Sequence, residues 1–451
     1  MKLVAEAWRS FDRYRPEEPP LDERVRQLLQ AGLPGEPVSV HEALDDAARI
    51  LDESIAQPRP RYFAFVGSSG LEIGTIGDLL ATTYDINLAV DARAATEIEA
   101  QAVRWAGEFV GFPAGVGAFT SGGTISNTTA LAAARERALP GSRLTGVATA
   151  VAAYCSVDGH YSITRAAELL GLGSSNLRAI AIDERRRMRP DALAAAIDRD
   201  VAAGVTPIAV VATGGTTLTG AVDPIDEIAD VCAEHDVWLH IDGAYGLPAA
   251  SLRPDLFVGV DRADSVSVDA HKWLYVPKAC SVVLVRRVED LSRAFGHEGT
   301  YLPHQQHELH AVDFTLEYSR PFRALKLWLA LRAHGSPQFR EAIARNLAEA
   351  ELLHRVASEA PDFQTMSAPP QLSIVPIRHR PDGVADLDRH NDRLAKAVQE
   401  DGRVYLASAL IDGEVWLRPC FVNFRTTEED VLAIVDVARE LGERLARSGT
   451  P

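Results

Sequence analysis

Lys272 is the residue whose type and position most directly suggest chemistry. The chain has only five lysines, and Lys272 follows an apolar strand pattern in SVSVDAHKWLYV. A lysine in a half-buried connection tends to lose its proton, and a neutral amine is what imine formation with a carbonyl compound requires. A structural ion pair is the alternative. Lys278, in VPKAC, serves as the contrast, because its context is that of a surface charge.

Three other side chains follow strand patterns in the same way. Asp242 ends the apolar run VWLHID, where a carboxylate is costly to bury unless a cation meets it. It either holds a cationic ligand, caps a helix or pairs with an arginine. His160 precedes a helical pattern in VDGHYSITRAAELLG, so its ring either lies on an aromatic ligand or caps that helix. Thr217, in TGGTTLTG, either binds a ligand or belongs to a tight turn.

A glycine-rich turn, FTSGGTISN, precedes an alanine-rich helical pattern and contains Gly123 and Thr124. Glycine lets a ligand approach the backbone, and a helix N-terminus presents free N–H groups to an anion. The turn matches neither of the common nucleotide-binding glycine motifs. It is compatible with a site for one phosphate and equally with an ordinary turn.

These residues must be positioned by a sheet. Between about residues 60 and 325, short apolar runs such as PIAVVAT and VWLHID alternate with helical segments. This alternation predicts a mainly parallel sheet with helices on both faces, which binds ligands at the carboxyl ends of its strands. An amine, a carboxylate, a phosphate turn and a flat ring at one sheet edge are the parts that bind pyridoxal phosphate.

The chain is predicted to have three parts. Residues 1–60 form a helical arm whose amphipathic stretches need another domain or subunit to pack against. Residues 61–325 form the large cofactor-binding domain, and residues 326–451 form a small C-terminal αβ domain. The irregular stretch 293–318 is long for a connecting loop, which favours a functional lid.

Composition excludes several classes of function. The 451 residues are 47% apolar and carry 46 basic against 63 acidic side chains, a net charge of −17. Such a chain is neither disordered nor suited to binding a nucleic-acid backbone. We expect no membrane partner, no signal peptide and a cytoplasmic location, because no apolar run approaches the roughly 20 residues of a span. Four scattered cysteines without a CxxC pair predict no metal site.

The ordered motifs SGGT, His160, TGGTT, HIDGAYG and DAHKW resemble those of the group II pyridoxal-phosphate-dependent amino acid decarboxylases, from about residue 55 onwards. That family includes the aromatic amino acid, histidine and glutamate decarboxylases. The resemblance implies an aspartate aminotransferase-like α/β fold (fold type I of pyridoxal phosphate enzymes), with a seven-stranded, mainly parallel sheet and a small C-terminal αβ domain. It also implies decarboxylation of an L-amino acid to the amine and CO2.

The resemblance implies a role for each site residue. Lys272 holds the cofactor as an internal aldimine, Asp242 pairs with the pyridine nitrogen, and His160 stacks on the ring opposite Ala244. The implied phosphate contacts are Gly123, Thr124, Thr217 and His271. The family's usual Asn-Pro before His-Lys is Asp269-Ala270 here. An aspartate would repel a phosphate, so we expect Asp269 to point away or to meet an arginine.

The lid and the substrate pocket are also implied by resemblance. Tyr301 matches the lid tyrosine that protonates the substrate Cα, and related aldehyde synthases carry phenylalanine there. The lid histidines are expected to act as polar gating groups, with a metal site as the alternative; they are His297, His304, His307 and His310. The implied substrate contacts are Phe65, Ser68, Asn87 and, for the carboxylate, Arg418, which as an alternative forms a structural ion pair.

The resemblance further implies a homodimer with the active site at the subunit interface. Three alternatives remain open: an aldehyde synthase, a carbon–carbon lyase or aminotransferase on the same fold, and an inactive protein that binds pyridoxal phosphate. The identity of the amino acid substrate does not follow from the sequence.

Overall fold

The computed structural model describes residues 2–11, 21–296 and 311–448, and the chain divides into two compact units. The first unit contains the described parts of Met1–Ser69, Glu349–Ser367 and Val375–Pro451. The second unit contains the described parts of Gly70–Ala348 and Ala368–Ile374. The domain boundaries expected near residues 60 and 325 stay predictions.

Fifteen helices are found among the described residues. In chain order they are α1 (Lys2–Phe11), α2 (Glu23–Gln30), α3 (Val40–Asp52), α4 (Glu72–Tyr84), α5 (Ala94–Val110), α6 (Gly123–Ala138), α7 (Ser142–Thr145), α8 (Tyr161–Leu169), α9 (Pro190–Ala202), α10 (Ile225–Glu234), α11 (Ala270–Trp273), α12 (Val288–Phe295), α13 (Ala324–Glu359, interrupted at Gly335), α14 (Leu387–Asp401) and α15 (Glu428–Ser448).

The described residues also form eleven strands. They are β1 (Val116–Thr120), β2 (Val151–Ser156), β3 (Leu177–Ile180), β4 (Thr206–Thr213), β5 (Trp238–Asp242), β6 (Ser265–Val268), β7 (Ser281–Val285), β8 (Phe363–Thr365), β9 (Ile377–His379), β10 (Ser408–Ile411) and β11 (Glu414–Leu417).

A seven-stranded sheet forms the centre of the second unit. Its order is β1-β7-β6-β5-β4-β2-β3, and only β7 runs antiparallel to its neighbours. Every residue of β2 and β5 is buried, as a parallel sheet covered on both faces requires. Four alanines of α6 are buried in the core beside these strands, because a small side chain lets a helix lie close to a sheet; they are Ala130, Ala132, Ala133 and Ala134. The predicted mainly parallel sheet is confirmed.

The first unit contains a four-stranded antiparallel sheet in the order β10-β11-β9-β8. Apolar residues of the sheet and of α14 and α15 form a separate core, which includes Ile377, Leu394 and Ile434. This is the small αβ domain that the sequence predicts. None of the helices in the described ranges is long and apolar enough to cross a membrane.

Two buried histidines make the first unit sensitive to acid. His379 Nδ1 on β9 lies 2.9 Å from His390 Nε2 on α14, and neither ring is more than 6% exposed. Burial, and then the neighbouring His390, lower the pKa of His379 to about 4. In the unfolded chain an imidazole titrates near 6.5, so the unfolded state binds more protons between these values. Stability is therefore lost as the pH falls from about 6.5 towards 4.

We expect the buried His379 to lower the free energy of unfolding by about 3 kcal/mol as the pH falls across this range. Urea denaturation at about pH 7 and pH 4.5, followed by circular dichroism, measures the loss. A His379→Asn variant isolates the histidine from carboxylates that titrate in the same range, since its stability should depend less on pH. An equally steep pH dependence in the variant would contradict the prediction.

Candidate active site

A cavity of about 100 Å³ lies where the parallel strands of the second unit end. The loops after β1, β2, β4, β5 and β6 all contribute to it, because the carboxyl ends of parallel strands meet at one edge of the sheet. Seven residues that the sequence singles out line this cavity: Gly123, Thr124, His160, Thr217, Asp242, Ala244 and Lys272.

Asp242 is a buried carboxylate that only accepts hydrogen bonds. Its Oδ1 accepts from the backbone N–H of Ala244 at 3.2 Å and from Ser267 Oγ at 3.3 Å. Its Oδ2 accepts from Asn127 Nδ2 at 2.9 Å. These three donors orient the carboxylate, and its remaining lone pairs can accept a hydrogen bond from an N–H group of a ligand.

His160 caps a helix, and its predicted stacking on an aromatic ligand stays a prediction. It is the N-cap of α8, where its Nδ1 accepts from the backbone N–H of Ser162, and its ring also lines the cavity. Burial lowers the pKa of His160, although Asp242 opposes the shift. The ring is therefore neutral at pH 7, which suits stacking on an aromatic ligand.

Lys272 and Asp269 form an ion pair inside the cavity. Lys272 lies on the short helix α11 after β6, and its Nζ is 3.0 Å from Asp269 Oδ2. Burial alone would raise the pKa of Asp269, but the Lys272 ammonium and His271 together lower it. The expectation that Asp269 points away or meets an arginine is wrong. Lys272 is the nearer cation, because three residues along a helical turn bring the two side chains together.

The lack of a side chain at Gly123 leaves room for the Asp269 carboxylate in the cavity. A Cβ atom at residue 123 would lie 3.1 Å from Asp269 Oδ2 and 3.2 Å from the Ala244 Cβ. Any larger residue at the start of α6 would therefore crowd the cavity. The first turn of α6 also has no side-chain cap, and its Gly123 and Thr124 line the cavity, so a helix N-terminus is available there to an anion.

His271 does not line the cavity. Its Nδ1 lies 2.8 Å from the carbonyl oxygen of Cys280, and its Nε2 lies 3.7 Å from Asp269 Oδ2. The implied phosphate contact of His271 stays a prediction.

The implied substrate residues fall in different units. Asn87 belongs to the second unit, where its Oδ1 accepts from the backbone N–H groups of Ala89 and Arg320, both at 3.0 Å. Phe65, Ser68 and Arg418 belong to the first unit; Phe65 is 58% exposed, whereas Arg418 is 4% exposed. None of the four lines the cavity.

Tyr301 and the four lid histidines, His297, His304, His307 and His310, lie outside the described residues, so their predicted roles remain predictions.

Sequence reasoning missed several cavity residues. Asn127 lies four residues after Gly123 on α6 and therefore faces the same side of the helix, a spacing that could have identified it. Ser162, Thr213, Gly215 and Tyr245 also line the cavity. The Tyr245 hydroxyl contacts Ser373 Oγ at 2.6 Å, a partner far away in the sequence.

The residues of the cavity fit pyridoxal phosphate. They supply one amine for its aldehyde, one acceptor-only carboxylate for its ring nitrogen, a neutral ring for stacking and an uncapped helix N-terminus for its phosphate. Asp269 adds a second carboxylate to the lining of the cavity. Its Oδ1 is buried and has no hydrogen-bond partner among the described residues.

Comparison with known proteins agrees with this fit and identifies a family. The pyridoxal-dependent decarboxylase conserved domain matches residues 22–379, so the chain belongs to that family. It is therefore a pyridoxal-phosphate-dependent amino acid decarboxylase, and the predicted cofactor and enzyme class are confirmed.

Relatives and solved structures extend along most of the chain. An aromatic-L-amino-acid decarboxylase of Bacillus atrophaeus is 33% identical over 401 residues, which cover 86% of this chain and 82% of the relative. A structure of Oryza sativa TDC with PLP and tryptamine has a TM-score of 0.91 at 25% identity and covers 98% of this chain and 96% of the other. Mouse CSAD has a TM-score of 0.90 at 27% identity, with coverages of 98% and 97%. The predicted fold class is confirmed.

Proposed function

We propose that the protein decarboxylates an aromatic L-amino acid to the corresponding amine and CO2. The observation that carries the mechanism is that the Lys272 amine and the Asp242 carboxylate line one cavity at the end of the sheet. The aromatic side chain is supported by relatives that act on aromatic amino acids, among them tyrosine decarboxylase 4 of Petroselinum crispum, 29% identical over 437 residues.

Lys272 is proposed to hold the cofactor covalently until the substrate amine replaces it. When bound, pyridoxal phosphate supplies an aldehyde that condenses with amines and a ring that withdraws electrons from the bond that breaks. Asp269 holds the Lys272 Nζ at 3.0 Å and so orients this amine before the cofactor enters. An ammonium group must lose its proton to attack an aldehyde, and the Asp269 carboxylate at 3.0 Å is proposed to accept that proton.

Asp242 is proposed to favour a proton on the ring nitrogen of the cofactor. Three hydrogen-bond donors orient this carboxylate in the cavity. Ala244 and the neutral ring of His160 are proposed to enclose the cofactor ring from its two faces. Gly123, Thr124 and Thr217 are proposed to bind the phosphate, with backbone N–H groups of α6 as the principal donors.

The test of the proposed function is a product analysis of the intact wild-type protein with added pyridoxal phosphate. L-Tryptophan, L-tyrosine and L-phenylalanine are compared with L-glutamate and L-cysteine sulfinate, and CO2 and amine are measured. We expect the kcat/KM of at least one aromatic substrate to be about tenfold or more above that of either acidic substrate. An apolar pocket that fits one side chain favours it over a poorly fitting one by about this factor. Turnover of the acidic substrates alone would contradict the aromatic proposal.

The same assay separates the alternative activities. An aldehyde as the main product would indicate a synthase or lyase, and a keto acid would indicate an aminotransferase. Bound cofactor without turnover of any standard amino acid would indicate an inactive partner protein.

Tyr301 is proposed to donate the proton that the substrate Cα receives once CO2 has left. We expect Tyr301→Phe to shift the products from the amine towards the aldehyde and ammonia, because without a proton donor dissolved oxygen would oxidise the substrate carbon, with water hydrolysing the product to aldehyde and ammonia and oxygen being reduced to hydrogen peroxide. Chromatography of the products and an ammonia assay measure the shift. The matched control is Tyr318→Phe, which removes the hydroxyl of a 45%-exposed tyrosine. An unchanged amine yield in Tyr301→Phe would remove Tyr301 from the mechanism.

The protein is further proposed to act as a homodimer with the active site at the subunit interface. Helix α3 has no buried residue, and α2 has only Val25. Their apolar side chains are therefore uncovered in the single chain; Leu29, Val40, Leu44 and Leu51 are between 52% and 79% exposed. Such a surface favours a protein partner. Light scattering measures the oligomeric state, and a fully active monomer would contradict the proposal.

A cytoplasmic location is also proposed. It is supported by the four cysteines, which are all buried and form no disulfide with one another. Cell fractionation of the producing organism tests it.

A further inference from the structure

Asn127 connects the two side chains proposed to contact the cofactor ring. Its side chain is 1% exposed and contributes both amide hydrogens and the amide oxygen to hydrogen bonds. The Nδ2 atom donates to Asp242 Oδ2 at 2.9 Å and to Ser162 Oγ at 3.0 Å. The Oδ1 atom lies 3.0 Å from His240 Nε2. Both hydrogens and one acceptor site of the amide are therefore engaged in this orientation.

The contact with Asp242 fixes the direction of every other bond in this network. A carboxylate can only accept, so the amide must turn its Nδ2 towards Asp242 and its Oδ1 towards His240. His240 Nε2 must then carry the proton, and its Nδ1 accepts from Ser265 Oγ at 2.8 Å. Ser265 Oγ in turn accepts from Trp238 Nε1 at 2.9 Å. In this series of hydrogen bonds each residue donates to the next one, and the last acceptor is Asp242.

A second branch reaches His160 through Ser162. Ser162 Oγ accepts from Asn127, so its own hydrogen is directed at His160 Nδ1, which lies 2.8 Å away. His160 Nδ1 also accepts the backbone N–H of Ser162 at 3.3 Å. The only ring proton of the neutral His160 is therefore on Nε2. The Asn127 amide thus determines the orientation of both the Asp242 carboxylate and the His160 ring.

The network depends on the register of the sheet. His240 and Asp242 lie two residues apart on β5 and point to the same face, and β6 pairs them with Ser265 and Ser267. Both serines bond to the residue opposite them, at 2.8 Å and 3.3 Å. His240, Ser265 and Trp238 are at most 1% exposed, so a donor or acceptor left without a partner here would be costly.

We propose that Asn127 is a positioning residue that keeps Asp242 an acceptor-only carboxylate towards the cofactor ring nitrogen and holds His160 in its Nε2–H form. The proposal rests on the proposed roles of Asp242 and His160. Its consequence is that replacing the amide hydrogens by an acceptor weakens cofactor binding in a way that depends on pH.

The test is the isosteric variant Asn127→Asp. In alkaline solution the introduced carboxylate faces Asp242 Oδ2 and repels it, whereas in acid it holds a proton and donates it to Asp242 as the amide does. The dissociation constant of pyridoxal phosphate is measured by fluorescence quenching of the apo-protein at about pH 5.5 and pH 8.5. We expect the ratio of the variant to wild type to stay within about threefold at the lower pH and to exceed about tenfold at the higher pH.

A purely structural role predicts something different. Loss of packing would weaken binding by the same ratio at both pH values, and that result, or a ratio near one at both, would overturn the proposal. The matched control is Asn391→Asp, which places a carboxyl at another fully buried asparagine, one that bonds to the backbone of His379. Its ratio should stay near one at both pH values.

If Asn127→Asp does not fold, a measurement on the wild-type protein tests the proposed direction of the hydrogen bonds around Asn127. Nitrogen-15 spectra of histidine-labelled protein report which ring nitrogen carries the proton, and the His240→Gln variant identifies the His240 signals. We expect His240 to be neutral with its proton on Nε2. A proton on Nδ1 of His240 would reverse the direction of its hydrogen bonds to Ser265 and Asn127 and would overturn the proposal. Because neither readout uses turnover, failure here is distinguishable from absence of decarboxylation in the product assay.

Discussion

The Lys272→Ala variant is expected to bind pyridoxal phosphate without a covalent bond and to lose at least about 10³-fold in turnover. Lys272 is the only lysine among the residues that line the described cavity. Its replacement leaves Asp269 Oδ2 without the ammonium group that lies 3.0 Å away, so the cavity also becomes more negative where the cofactor must enter. We therefore expect weaker cofactor binding in addition to lost chemistry.

Borohydride reduction followed by peptide mapping separates the covalent from the non-covalent effect. In wild type the pyridoxyl label should appear on the peptide that contains Lys272, and in the variant it should be absent. Lys278→Ala is the matched control, because that lysine is six residues away and does not line the cavity. Its label and turnover should resemble those of wild type. A label on Lys278 in wild type would refute the assignment of Lys272.

The sheet could be predicted because each strand is a short apolar run between helical patterns. The antiparallel direction of β7 could not, because its residues, SVVLV, have the same composition as those of the parallel strands. The direction depends on the connection from β6, which contains only the four-residue helix α11. A parallel return needs a longer crossover, usually a full helix.

The candidate site could be predicted where a single residue follows a strand, as Asp242 and Lys272 do. The pairing of Asp269 with Lys272 was missed because the prediction weighed only the repulsion between a carboxylate and a phosphate. A spacing of three residues on a helical turn brings Asp269 and Lys272 to 3.0 Å, where the ammonium group attracts the carboxylate. Asn127 was missed because its role comes from partners on two other elements, α8 and β5, at sequence separations of 35 to 115 residues.

The Asp242→Asn variant is expected to lose about 10² to 10³-fold in turnover although its side chain keeps the same shape. All three groups that bond to Asp242 are donors: the Ala244 N–H, the Ser267 hydroxyl and the Asn127 amide. An amide at this position would turn an NH2 group towards at least one of them, which leaves buried donors facing each other. It would also carry no negative charge to favour a proton on the ring nitrogen of the cofactor.

The measurement for Asp242→Asn is kcat with a saturating aromatic substrate, together with the amount of cofactor bound. The matched control, Asp290→Asn, neutralises a 2%-exposed carboxylate of the same unit whose hydrogen bond to Arg287 lies outside the cavity. We expect the control to lose stability but to keep its turnover per folded molecule. Since the two changes remove the same charge from buried sites, only a role at the cofactor separates them. Turnover of Asp242→Asn within tenfold of wild type at full cofactor occupancy would show that the ring nitrogen does not need this carboxylate.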